Sequence, residues 1–386
     1  MFHLGIDEHQ LVLEGDVMAR TMVMVGTRKG LWVGISDESR TEWEWAPPHF
    51  PMEEVYSVVL NRRSATPRLL AGCSSSWFGP QLRRSDDLGQ TWQETPNGAI
   101  RFPDDARLPD GSPATLSRVW QLTPGFEDGV VWAGTEPGAI FRSADGGETF
   151  SLVRGLWDHP HRVEWNEGFG GQAFHTILPH PADGLSVLAA LSTGGVYHTS
   201  DGGSSWAPAN EGVKAEFYPG ERNYPEFGQC VHKVARDAVD PERLFLQNHG
   251  GVYRSDDGGS SWQDIATGLP SEFGFAIITH PRESNTAYTF PIDDAGARWP
   301  VDGKARVCRT TDGGSSWEPL GEGSLPDNFY AVVLRDAMCA DDHETTGLYF
   351  GGRNGAVWCS PDSGTTWLEI QKNLPDVLVV RAAVID

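Results

Sequence analysis

Apolar and polar residues alternate over short stretches along most of this chain. Examples are Gln81-Leu82-Arg83-Arg84, Ala139-Ile140-Phe141-Arg142, Val196-Tyr197-His198, Val252-Tyr253-Arg254, Arg306-Val307-Cys308-Arg309 and Ala356-Val357-Trp358-Cys359. A period of two is that of a half-buried strand, and long helix-period runs are missing, so almost no helix is expected. Each stretch runs into the same turn. The segments Ser85 to Trp92, Ser143 to Phe150, Thr199 to Trp206, Ser255 to Trp262, Thr310 to Trp317 and Ser360 to Trp367 all fit [ST]xDxGx[ST][WF]. Their last residues are offset by 58, 56, 56, 55 and 50 positions, and a period of this size means an array of equal structural units. The pattern has a physical reading as a tight turn between antiparallel strands. The Asp side chain caps backbone N–H groups, Gly takes the left-handed position, the hydroxyl ties the turn down and the aromatic packs beneath it.

Reading back from each turn, a block holds two apolar strands, a third strand that enters the turn and a fourth that leaves it. Four antiparallel strands per block make one propeller blade. Six turns give six blades, and the ends hold spare strands: Met22 to Gly26, Leu31 to Ile35 and Glu42 to Trp45 at one end, Leu378 to Ile385 at the other. Ser36 to Trp43 reads as a decayed copy of the turn. The expectation is therefore an all-β, seven-bladed β-propeller whose C-terminal strand joins the N-terminal blade to close the ring. Residues 21–386 would form this single propeller and residues 1–20 a peripheral extension.

Inner strands are expected from about Val55, Trp120, His175, His232, Phe275, Tyr330 and Val380. Four connections are long: Thr95 to Ser117, Ser151 to Gln172, Ala207 to Gln229 and Pro291 to Lys304. By the direction of the chain they share one rim over blades two to five, and long loops on a rigid scaffold are the usual place for binding or chemistry.

The repeated turn resembles the Asp-box, or bacterial neuraminidase repeat, of sialidases and other β-propellers. Val25-Gly26-Thr27-Arg28-Lys29-Gly30-Leu31, Ser75-Ser76-Trp77-Phe78-Gly79-Pro80 and Gly228-Gln229-Cys230-Val231-His232 are similar to a bacterial group described as BNR-repeat glycosyl hydrolases, or exo-sialidase-like proteins, within the sialidase superfamily. That resemblance implies a fold more securely than a reaction. It implies a glycosidase, while the similar photosystem II assembly propellers imply that a non-catalytic scaffold is the alternative. The Phe/Tyr-Arg-Ile/Leu-Pro signature of a true sialidase is missing; Arg101-Phe102-Pro103 has the wrong order and lies in a loop.

A formal net charge of -23 disfavours nucleic acid and anionic membrane surfaces as partners, without excluding a local positive pocket. Five cysteines without CxxC spacing and no apolar leader point to a reduced, cytoplasmic protein.

The candidate chemistry gathers on the long-loop rim. Gly171-Gln172-Ala173-Phe174-His175 and Gly228-Gln229-Cys230-Val231-His232 place His175 and His232 at matching sites on neighbouring inner strands, and His249 follows on the same rim. Three imidazoles would suit a divalent transition metal, zinc, copper or iron, or would be hydrogen-bonded structural residues. A sugar or small polar acid is expected to meet Arg28, Trp157, His161, Trp165, Gln172, Gln229, Tyr224, Arg298 and Arg353, rings stacking on apolar faces and guanidiniums gripping carboxylates. Glycoside hydrolysis needs two carboxyl groups across the scissile bond, and Glu136, Glu164, Glu167, Glu221 and Asp293 are the candidates. A protein partner stays open as well. The acidic run from Asp336 to Glu344 is expected to be a solvated turn.

Overall fold

The computed structural model describes residues 19–63, 66–95, 99–168, 171–218 and 220–385, without the side chains of 220 and 221. The 1–20 extension therefore lies almost wholly outside the described residues. The structure is all-β, and among the described residues short helical pieces lie at Arg154–Trp157, Pro160–Glu164, Gly220–Asn223 and Val301–Gly303. No described helix is long and apolar enough to cross a membrane, and all five cysteines are free and buried.

Five separate four-stranded sheets follow one another in sequence, their first strands being Glu54–Asn61, Arg118–Pro124, Phe174–His180, Val231–Arg236 and Gly274–Thr279. An eight-stranded sheet holds the rest. In it Val333–Ala340 leads an antiparallel set of four, and the C-terminal strand Val377–Ile385 pairs antiparallel with Arg20–Thr27, from Arg20↔Ile385 to Thr27↔Val377. A single parallel bridge, Asp336↔Val379, joins the two halves. The strand expected near Tyr330 begins at Val333. Phe329 takes the core position beside Phe290 and Phe350, at ring distances of 5.9 and 6.0 Å, and leaves Tyr330 exposed.

The repeated turn has the geometry its chemistry calls for. In one copy the Ser255 hydroxyl donates to Asp257 at 2.7 Å and accepts from the Gly259 amide at 2.9 Å. The same Asp257 carboxylate accepts from the amide and hydroxyl of Ser261 at 2.9 and 2.6 Å. Gly259, at φ 98°, holds the left-handed position that a side chain would strain. The decayed copy keeps the shape with other residues. Arg40 occupies the glycine position at φ 55°, and its carbonyl accepts from the Trp43 indole at 3.1 Å, as Gly89 does for Trp92.

Neighbouring sheets pack face to face through interdigitated large side chains, such as Phe290 against Phe350 at 5.0 Å. Each fully buried ring of this kind contributes roughly 1.5–3 kcal/mol. Glycine in a second strand lets the next sheet approach: a Cβ at Gly134 would overlap the Phe174 carbonyl.

Every first strand carries a β-bulge near its start. Pairing skips Tyr56, Trp120, His175 and His232, skips Phe275 with Ala276, and skips Leu334 to Ala337. In the pair formed by the two termini it skips Leu378. A bulged residue has left the ladder, so its side chain is re-aimed.

The acidic run from Asp336 to Glu344 is not a solvated turn. Asp336 and Asp341 are buried, because each has captured a cation distant in the chain. Asp336 pairs with Lys233 at 2.7 Å and with Arg381, while Asp341 pairs with Arg40.

Candidate functional site

The bulges build a cavity of about 850 Å³, whose wall includes the bulged Tyr56, Trp120, His232, Phe275, Arg335, Asp336 and Leu378. Second-strand turns and loops add Arg28, Glu136, Glu167, Phe217, His249, Phe273, Arg298 and Arg353.

Arginines on this wall fall into two kinds. Arg28 pairs with Glu54 at 2.5 Å and Asp376 at 3.4 Å, Arg353 with Asp376 at 2.5 Å, and Arg118 with Glu136 at 2.7 Å. Arg298 and Arg335 instead stand over the Phe275 ring at 5.7 and 5.3 Å. Among the described residues neither forms an ion pair with a carboxylate. Arg335 donates to the Ser192 hydroxyl at 3.0 Å, and its Nε is buried without a partner. Guanidiniums stack well on aromatic faces, which orients the pair without neutralising it.

The carboxylates are less available. Glu136 accepts from Arg118 and from the Trp120 indole at 3.0 Å. Burial alone would raise the Asp336 carboxyl, but Lys233 and Arg381 outweigh it and hold the group down at about 2. Glu167 lines the cavity from an exposed loop position. Glu164 and Asp293 are exposed and off the cavity wall, and the Glu221 side chain lies outside what is described.

His175 and His232 occupy equivalent bulges yet aim differently. The His175 Nε2 donates to the Val231 carbonyl at 2.9 Å while its Nδ1 meets the Thr176 hydroxyl at 3.1 Å, so both nitrogens are spent. His232 uses Nδ1 to reach the equivalent Gly274 carbonyl at 2.5 Å, which frees Nε2 to face the Cys230 sulfur at 3.8 Å. His249 completes this group, its ring 5.5 Å from that of His232 and its amide donating to the Cys230 carbonyl at 2.9 Å. One donor atom from each of Cys230, His232 and His249 lies within 4.8 Å of the others, and His175 stands apart. Burial, aided by the Arg335 charge, holds both His175 and His232 well below the ordinary imidazole value, so both are neutral. Burial pushes the Cys230 thiol up, against Arg335 and a Thr193 backbone hydrogen bond that favour the thiolate.

Several expected ligand contacts are used elsewhere. Trp157 and Trp165 are core residues: Trp157 packs on Phe102 at 5.0 Å and Trp165 donates to the Tyr197 hydroxyl at 2.9 Å. Compact surface loops are packed by their own side chains, and these rings hold the loop down. His161 stacks on Phe227 at 3.8 Å. Gln229 is fully buried and its amide donates to Val213 and Pro225 carbonyls. Gln172 is half-buried beside Gly138, and Tyr224 is exposed off the cavity wall. Sequence reasoning missed Cys230 and Arg335. Their signals were a cysteine two residues before His232, hence on the same strand face, and a charge inside the apolar run Ala331-Val332-Val333-Leu334 to Ala337-Met338.

No protein-family model matches the chain. Against a xyloglucanase of Hypocrea jecorina (strain QM6a) it is 23% identical over 267 residues, covering 61% of this chain and 28% of that enzyme. Against the photosystem II assembly lipoprotein Ycf48 of Synechococcus sp. (strain CC9902) it is 25% identical over 277 residues, covering 66% and 74%. The crystal structure of an ancestral GH74 enzyme superposes with a TM-score of 0.52 at 17% identity, over 83% of this chain and 39% of that one. Four-stranded antiparallel sheets in succession, with such neighbours, decide the architecture. The fold is a β-propeller. The chain spans only 28% of the length of the xyloglucanase it matches, so the likeness carries the fold and not the reaction.

Proposed function

We propose that the cavity binds a small organic acid of the sugar-acid class, with Arg298 and Arg335 gripping its carboxylate and the surrounding rings stacking on its apolar face. The observation that carries this reading is the pair of guanidiniums left without carboxylates in a protein of net charge -23. Cations without a carboxylate partner on a largely apolar cavity wall favour an anionic occupant, and forked donors match a carboxylate. Tyr56, Trp120 and Phe217 on the cavity wall supply the stacking faces.

Thermal-shift and calorimetric titrations with glucuronate and galacturonate, against neutral xyloglucan oligosaccharides, test it. An acid at a hundred times its Kd stabilises by about 2.7 kcal/mol, and Arg298→Ala and Arg335→Gln each remove that shift. Equal binding of neutral and acidic sugars, or binding indifferent to both substitutions, overturns it.

A hydrolytic reading is favoured by Glu136 and Glu167 lining one cavity and by the names of the xyloglucanase relatives. Under it, Glu136→Gln and Glu167→Gln each abolish turnover of an aryl glycoside and leave acid binding intact. A protein-binding reading is favoured by Trp77 and Phe78, adjacent and exposed at one turn, and by the assembly role in the name of Ycf48.

The same reading takes the scaffold as a closed ring of seven blades across residues 21–386. Supporting it are the bulge shared by all the first strands and by the terminal pair. Contacts from sheet to sheet add to it: Ser57 to the Val119 carbonyl, His175 to Val231, His232 to Gly274, and Arg381 to Asp336.

A further inference from the structure

We infer that Cys230, His232 and His249 form a binding site for one borderline-soft transition-metal ion of the zinc class on the wall of the cavity. This goes beyond the binding of an acid and does not depend on it. The donor set is one sulfur and two imidazole nitrogens, with the ligating atoms within 4.8 Å of one another. Zinc bonds of about 2.0–2.3 Å set tetrahedral donors roughly 3.3–3.8 Å apart; the 3.8 Å between Cys230 Sγ and His232 Nε2 meets this, and a small rotation of the His249 side chain closes the remaining gap.

The surroundings have the features that ready a site for metal. The Gly274 carbonyl accepts from His232 Nδ1 at 2.5 Å, which fixes the tautomer with a lone pair on Nε2. Metal-bound histidines are oriented by this kind of outer hydrogen bond. The Phe275 ring stacks on His232 at 4.5 Å and stops it turning. His249 is pinned by its amide to the Cys230 carbonyl at 2.9 Å, so a turn residue is held against the strand that carries the other two. Among the described residues neither ring nitrogen of His249 has a hydrogen-bond partner, although Phe217 and Phe273 pack on the ring at 4.8 and 4.9 Å.

Three protein ligands leave a tetrahedral ion one position, which is how catalytic zinc sites differ from closed structural ones. All three residues line the cavity, so that position faces whatever the cavity binds. The equivalent phrase one sheet earlier lacks the site for two reasons. Ala173 stands where Cys230 does, and His175 has both nitrogens engaged.

The test is titration of chelator-treated full-length protein with Zn2+, and with Co2+ as the spectroscopic probe. One equivalent is expected to bind, and Co2+ is expected to give a thiolate-to-cobalt charge-transfer band in the near ultraviolet. Cys230→Ser removes the band, His249→Ala weakens binding by at least about tenfold, and the remote Cys73→Ser leaves both unchanged. His249 sits at a half-buried turn, so its variant decides the matter if Cys230→Ser fails to fold. Absence of saturable binding to the folded protein, a band that survives Cys230→Ser, or binding indifferent to His249→Ala overturns the assignment.

Discussion

The Arg40 guanidinium donates to the Asp341 carboxylate at 3.0 Å, across 301 residues of sequence. The two side chains are 5% and 0% exposed. Arg40 also donates to the Thr345 and Pro361 carbonyls, each at 2.9 Å, and Asp341 accepts from the Tyr349 hydroxyl at 2.7 Å. The residue that broke the turn pattern thus clasps the N-terminal strands to the last antiparallel set.

Removing one partner of a buried, hydrogen-bonded ion pair leaves the other charge stranded, at a cost of about 3–5 kcal/mol. Arg40→Ala is expected to destabilise by that amount in urea unfolding. Adding Asp341→Asn to Arg40→Ala recovers part of the loss, because the stranded charge is then gone. A single variant within about 0.5 kcal/mol of the parent would show that the clasp is not a source of stability.

The C-terminal strand pairs with Arg20–Thr27 along its length and sends Arg381 to Asp336. Deleting residues 376–386 uncovers the edge of the N-terminal strand and opens buried apolar faces. The expected outcome is a broad, non-cooperative thermal transition and concentration-dependent association. A truncated chain that melts like the parent would mean the terminal strand closes nothing.

Stability should fall in acid through the repeated turns. Hydrogen bonds from Thr91, Ser205 and Ser316 hold Asp87, Asp201 and Asp312 at about 2, below the ordinary 3.8. Asp145, Asp257 and Asp362 are lowered as well, their hydrogen bonds outweighing burial. A depressed carboxylate adds stability that is whole above the unfolded value and is lost as pH falls through the folded one. The melting temperature is therefore expected to hold down to about pH 5 and decline steeply toward about pH 2. Replacing Asp201 and Asp312 together by Asn should flatten part of that slope, and parallel pH profiles for variant and parent would refute the mechanism.

The strands and turns were legible because their causes are local. Period two and the hydroxyl-Asp-Gly chemistry sit within eight residues, and the observed hydrogen bonds around Asp257 follow from them. The bulges were not, since a bulge exists only relative to a partner strand: nothing near Trp120 marks it as the residue that pairing skips. His175 and His232 show the same limit. Similar local phrases, Gly-Gln, two further residues and then His, place them at equivalent bulges, yet which ring nitrogen meets the next strand's carbonyl decides that one faces the cavity and the other does not. Trp157 and Trp165 could be assigned to the loops, but whether a loop ring faces ligand or core depends on what lies beneath it, here Phe102 of another loop and Tyr197 of a strand.

Pairing skips the residues at the heads of these strands, so their side chains stand outside the in-out alternation that sets strand register. Tyr56, Trp120, Phe275 and Leu378 can each be replaced while the strands beneath them keep their alignment. The lining of the mouth is in this way uncoupled from the framework that carries it. Exchange at Tyr56, Phe275 or Leu378 still costs the packing of a buried side chain, while the register of the strand beneath is kept.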